Sequence, residues 1–169
     1  CDPLGREDAM IRISKIILIL FVGLQGLFYA LNNIVNFEAA TSFVQGVLPM
    51  AGNEAYPNAF GPAISSPVLI TIVLCFIILG ELLVAAFSLK GAYDMFRVRG
   101  GSAEGFNDAK TWAIMGCVMA LLVWFGLFMV IGGAYFQMWQ TPLGAAAQGG
   151  AFQYAISSGI VLLFVNAPD

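Results

Sequence analysis

The sequence predicts an all-α membrane protein, a single transmembrane domain over residues 1–169. It should have four transmembrane helices, N- and C-termini in the cytoplasm, and a short amphipathic helix in the first outward loop. Three observations carry this reading. Hydrophobic residues make up 60% of the chain and charged ones only 10%, against roughly 25% charged in a soluble domain. The apolar residues gather in four runs, each near the ~20 residues a helix needs to cross about 30 Å of hydrocarbon. All seven Lys and Arg residues lie before the first run or between the second and the third. With a mean hydropathy of +0.87, a chain this small cannot hide its apolar surface in a water-soluble core.

The first span, about residues 13–35, holds "IILILFVGLQGLFYALNNIV" after Lys15. The second, about 67–90, runs from Pro67 through "VLITIVLCFIILGELLVAAFSL" to Lys90. No charge interrupts the third, about 111–136, between Thr111 and Phe136. The fourth, about 150–166, is short and contains Gln153, Ser157 and Ser158, so it needs helical neighbours to be stable in lipid. Trp112 and the stretch "YFQMWQ" put aromatic residues where the two membrane interfaces should fall, although packing alone predicts the same placement.

Orientation follows from the positions of Arg6, Arg12, Lys15, Lys90, Arg97, Arg99 and Lys110. By the positive-inside rule they mark the cytoplasmic side, leaving two outward loops without Lys or Arg. Cys1 raises the idea of a lipidated residue on the outer face. Arg6, Arg12 and Lys15 follow it too closely for that, and removal of an initiator Met is the simpler expectation. No signal-peptide cleavage pattern is present, so the first span reads as a retained anchor.

The outward loop from residue 36 to 67 spaces Phe37, Ala40, Phe43, Val44, Val47 and Leu48 at helical intervals, which predicts an amphipathic helix on the membrane surface. Pro57, Pro62 and Pro67 make the remainder irregular. The loop reads either as a tether or as a docking place for an external partner. In the cytoplasmic connection, Asp94, Glu104 and Asp108 offset the basic residues. "RGGSAEG" lacks the Lys and the preceding strand of a phosphate-binding loop.

Cys1, Cys75 and Cys117 are dispersed, and the chain has no His. The common haem, zinc and copper ligand sets and His-based acid–base chemistry are thereby removed. We expect no catalytic, cofactor-binding or metal-binding residues, no nucleic-acid partner and no enzymatic activity.

One residue is physically expensive. Glu81 lies about 13 Å from Lys90 along a helix, deep in hydrocarbon. Gln25 stands at nearly the same level, about 15 Å beyond Lys15, and Ser157 and Ser158 lie about 12 to 14 Å from the polar end of the fourth span. These four residues form a candidate intramembrane polar layer. A charged acid at that depth costs several kcal/mol, and no Lys or Arg reaches it. The neutral, protonated acid is therefore expected, donating a hydrogen bond to Gln25, to a serine or to a helix carbonyl. Glu81 reads either as a structural tie or as a proton or cation site. Gly116 with Ala120, Ala155 with Gly159, and Gly80 with Val84 and Ala85 form small-residue stripes suited to close helix approach.

"MIRISK", "NFEAATSFVQGVLPM", "GELLVAAFSLKGAYDMFR", "FNDAK", "WFGLFMVIGGAYFQMWQ" and "GIVLLFVNAPD" together resemble the bacterial predicted small integral membrane proteins called domain of unknown function 2165. The likeness covers nearly the whole chain from Met10. It implies four membrane helices and supplies no activity, cofactor or site residue; the expected location is a bacterial inner membrane. The leading expectation is a non-catalytic accessory or assembly subunit of a larger membrane complex, in contact with lipid and with other subunits. The alternative is an oligomeric proton- or cation-coupled transporter or channel using Glu81.

Overall fold

Helix boundaries in the computed structural model fall where capping groups and prolines permit. The structure describes residues 3–169, with side chains from Glu7 onward. Cys1 and the expectations attached to it lie outside the described residues. Helix α1 covers Pro3–Val35, ten residues earlier than the hydropathy predicts. After Pro3 and Gly5, the stretch "REDAMIR" contains no helix breaker, so the helix continues past the point where the chain stops being apolar. At 33 residues it is about 50 Å long, more than the hydrocarbon thickness. A short helix α2, Phe37–Val47, follows at once.

Helix α3 covers Pro67–Arg97. Pro67 lies in its first turn, where a missing N–H costs nothing. Lys90 marks the expected end of the apolar run without ending the helix, because "GAYDMFR" keeps helical bonding and Lys90 pairs with Asp94 one turn later at 2.5 Å. The turn that follows leads into α4, Ala103–Asp108, capped by Ser102, whose Oγ accepts from the Gly105 N–H at 3.2 Å. Helix α5, Thr111–Leu121, continues without a break into a π-helical segment, Leu122–Tyr135. There the bonding shifts to i→i+5, as in the 3.0 Å bond from Phe136 N–H to the Ile131 carbonyl. The residue pattern, uniformly apolar, does not announce this change.

Helix α6, Pro142–Asn166, starts eight residues before the expected position. The hydropathy of "LGAAAQGG" is low, yet Thr141 accepts from Gly144 N–H at 3.1 Å and Pro142 occupies the first turn. Cap and proline thus set the start where hydropathy did not.

The four long helices run alternately up and down, with α1 lying along α3, α3 along α5, and α6 closing against α5 and the π-helical segment. Close approach needs small residues. A Cβ on Gly26 would come 2.8 Å from the Glu81 carbonyl oxygen and 2.9 Å from the Val84 side chain, so α1 and α3 meet backbone to side chain there. Gly116 fits against Ser88 in the same way. Of the expected stripes, Gly116 and Gly80 lie at tight contacts, the latter against Val123. Gly159 does not: a Cβ there would find its nearest neighbour at 3.9 Å.

One apolar core holds Ile19, Val84, Met95, Cys117, Val123 and Trp124; a second holds Val44, Val47, Ile70, Leu74 and Ile78. The second core explains α2. Its apolar face rests on α3, with Phe37 left 39% exposed. The irregular loop after α2 is pinned to the other loop at that end by Asn53 Nδ2 to the Phe136 carbonyl (3.2 Å) and Tyr135 Oη to the Pro62 carbonyl (3.2 Å). Around the bundle, Phe21, Phe28, Phe76, Leu122, Phe125 and Ile160 remain exposed. Such a girdle is a liability in water and normal in lipid.

At the opposite end, here called the basic end, the charges are organised. Lys15 and Lys110, both buried, each donate to the Ala167 carbonyl at 2.8 Å. That carbonyl lies at the C-terminal end of α6, where cations complement the helix dipole. Arg12 pairs with Asp169 at 2.6 Å and donates to the Arg99 and Gly101 carbonyls. The expected charge segregation is thus also a packing device that joins α1, the α3–α4 turn and the end of α6.

Candidate functional site

Glu81 sits midway along α3 and is 1% exposed. Its position on the helix points it into the bundle, and the direction of its side chain follows from helix geometry. Side chains lean toward the N-terminus of their own helix. On α3 that is the α2 end of the bundle; on antiparallel α1 it is the basic end. Glu81 therefore leans one way and Asn33, further along α1, leans back to meet it. Asn33 Nδ2 donates to Glu81 Oε1 at 3.1 Å and to Oε2 at 2.9 Å.

The same geometry corrects the expected polar layer. Gln25 stands near Glu81 in depth, but it leans toward the basic end, away from the acid, and its buried Nε2 has no partner among the described residues. Ser157 is exposed and donates to the Tyr154 carbonyl of its own helix at 3.1 Å. Ser158 is buried with its Oγ unpartnered. Neither serine bonds Glu81. Equal depth was the only criterion available, and depth does not fix direction.

Four residues absent from that layer, Asn33 and three aromatic residues, share a cavity wall with the acid. Tyr29 from α1, Trp124 from the π-helical segment and Tyr154 from α6 form a mutually packed trio. Ring centroids are 6.1 Å apart for Tyr29 and Trp124, 5.1 Å for Tyr29 and Tyr154, and 5.5 Å for Trp124 and Tyr154. The two tyrosine hydroxyls are hydrogen-bonded to each other. Together with Glu81 and Asn33 they line a cavity of about 340 Å³, completed by Phe43, Phe128 and the first half of α6. Each of the four spans contributes a side chain. A readable signal existed on α1, where Gln25, Tyr29 and Asn33 recur at i, i+4 and i+8, a polar-tipped stripe on one helix face.

The cavity has direction. Its rim lies toward the α2 end, where Leu143 and Ala146 are exposed on α6. Toward the basic end, Ile19, Val84 and Cys117 are fully buried and close the interior. Chemically, the site offers one carboxyl, one carboxamide and two phenol oxygens on an otherwise aromatic and aliphatic wall. Among the described residues no group of three His, Cys, Asp or Glu side chains comes together, so the oxygen-rich shell that a divalent cation takes is not assembled here. A neighbouring cavity, also about 340 Å³, lies under α2 and shares Phe43 and Phe128 as walls; its lining is apolar throughout.

A family model described as "Predicted small integral membrane protein (DUF2165)" matches residues 11–168. No curated protein and no solved structure matches the chain.

Proposed function

We propose, for a chain that belongs to this family of predicted small integral membrane proteins, a non-enzymatic role in the inner membrane of a bacterium, with Glu81 exchanging a proton or another monovalent cation. Both termini then face the cytoplasm and the α2 end faces outward. The observation that carries the reading is the pairing of a buried acid with an open cavity. Glu81 is 1% exposed and tied to Asn33, and it also stands at the wall of about 340 Å³ of space, which a tie between helices does not require. Ionisable groups placed in a membrane interior and facing a cavity are the usual mark of an ion or substrate path.

The closed interior below Glu81 limits what one bundle does. A through-path requires further copies or a partner subunit. That feature also favours a second reading, an accessory or assembly subunit whose site works within a larger membrane complex; stoichiometric co-purification with such a complex is its expected result.

The exchange reading is tested by reconstituting the purified protein in liposomes that contain a pH-sensitive dye. Proton flux under an imposed gradient should exceed that of empty vesicles, and Glu81→Gln should return it to the empty-vesicle level while Glu81→Asp retains part of it. Equal flux through the wild-type and Glu81→Gln proteins would contradict the exchange role.

A further inference from the structure

Resting on the reading of Glu81 as a cation site, we infer that the cation is organic: a lipophilic ammonium compound held by the Glu81 carboxylate and the rings of Tyr29, Trp124 and Tyr154. The argument begins with desolvation. A small metal ion gives up a tightly bound water shell on entering hydrocarbon and needs several oxygen donors in return. The cavity offers few, on a wall that is mainly aromatic and aliphatic. A substituted ammonium carries the same charge over a larger, weakly hydrated surface. Its alkyl groups are content against Phe43 and Phe128, and its charge is attracted both by a carboxylate and by the negative faces of aromatic rings.

Three further features fit this ligand and not a bare ion. The three rings come from three different helices and gather within 6.1 Å of one another, centroid to centroid, beside an acid from the remaining span, α3. About 340 Å³ exceeds by many times the ~30 Å³ share of one water and suits an organic group. The apolar cavity under α2, sharing the Phe43 and Phe128 walls, lies next to the cation site and gives a hydrocarbon tail a place to extend. No Lys or Arg lines the Glu81 cavity, so the carboxylate has no competing cation there. Asn33, donating to both of its oxygens, holds the carboxylate at the cavity wall.

The test uses the purified full chain in a non-ionic detergent, with phenyltrimethylammonium as probe and tert-butylbenzene as its uncharged counterpart of like shape. Equilibrium dialysis is expected to show saturable binding of the cation, with the neutral compound at least about tenfold weaker, since only the charge differs. Glu81→Gln should weaken cation binding at least about tenfold, and Trp124→Phe about threefold, because phenyl is the poorer cation–π face. Excess sodium should not displace the probe. Should Glu81→Gln fail to fold, Ala146→Phe, which narrows the exposed rim without entering the core, should also weaken binding. Equal binding of the two compounds, binding unchanged in Glu81→Gln and Ala146→Phe, displacement by sodium, or no binding would each overturn the inference. Its failure separates from that of the exchange role: Glu81-dependent proton flux without ammonium binding sinks the inference alone. Ammonium binding without flux sinks only the exchange role and leaves the inference standing.

Discussion

Gly91→Leu is expected to be the most damaging single substitution in the bundle, costing at least about 3 kcal/mol, at the upper end of what overpacking a close-packed interior costs. A Cβ at position 91 would fall inside contact distance of the Ala113 N and Cα. Backbone cannot swing aside as a flexible side chain can. Two helices would have to separate, and with them Gly116 from Ser88 about one turn along. Even Gly91→Ala meets the same backbone atoms and should destabilise. Gly149→Ala is the control: a Cβ there has no neighbour within 4 Å, and alanine's better helix propensity should make it neutral or slightly stabilising. Detergent unfolding titrations of the purified variants give the ranking. Equal stability of Gly91→Leu and wild type would mean that α3 and α5 do not approach as described.

Arg12→Ala is expected to lose about 3 kcal/mol, the cost of leaving a buried charge without its partner. The pair is sheltered, with side-chain exposures of 11% for Arg12 and 4% for Asp169, so it is not subject to the solvent screening that makes surface pairs weak. Arg12 Nε also donates to Asp169 Oδ2 at 2.8 Å, and Nη1 donates to the Arg99 and Gly101 carbonyls at 2.9 and 2.7 Å. Its guanidinium stands 5.0 Å from the centre of the Phe106 ring. The double change Arg12→Met with Asp169→Asn removes both charges and should recover a large part of the loss; a double variant no better than Arg12→Ala would place the cost in the backbone contacts instead. Hydrogen exchange at the last turn of α6 should quicken in Arg12→Ala, because the clasp that holds that end is opened.

How much of this was legible in the residues depends on what sets each feature. The four spans are written in long apolar runs, and Pro67 at the start of α3 is both a sequence signal and the observed boundary. The α2 helix was equally legible, because Val44, Val47 and Leu48 recur at helical spacing and all three are buried. Boundaries in polar sequence were not. Pro3–Val35 and Pro142–Asn166 extend beyond their apolar runs because helix formation needs only backbone bonding and permissive residues, whereas hydropathy reports only the part that prefers lipid. The π-helical bonding from Leu122 to Tyr135 has no signature in a run of uniformly apolar residues.

For the site, one residue was enough to locate it and not enough to describe it. Glu81 stands out because ionisable groups at that depth are costly. Its partner was mistaken because counting residues along a helix gives depth, while the lean of the side chains decides which groups touch. The aromatic trio could not be weighed at all: Tyr29, Trp124 and Tyr154 are scattered over 126 positions, and only the packing of three spans brings them together. The basic end shows the opposite case, where residues read as markers of orientation, Arg12, Lys15 and Lys110, also turn out to hold the helices.

The central claim is that Glu81, buried inside the membrane-spanning bundle, stands at the wall of a largely aromatic and aliphatic cavity through which it is reached. Hydrophobic carbodiimides react with protonated carboxyls in just such surroundings, so treating native membranes with dicyclohexylcarbodiimide and mapping the adduct by mass spectrometry tests it directly. Of the ten acidic residues, Glu81 should be the one labelled, and Ala146→Phe should slow its labelling by narrowing the rim. Adducts confined to loop acids such as Glu38, Glu54 or Glu104, with Glu81 unmodified, would contradict the account.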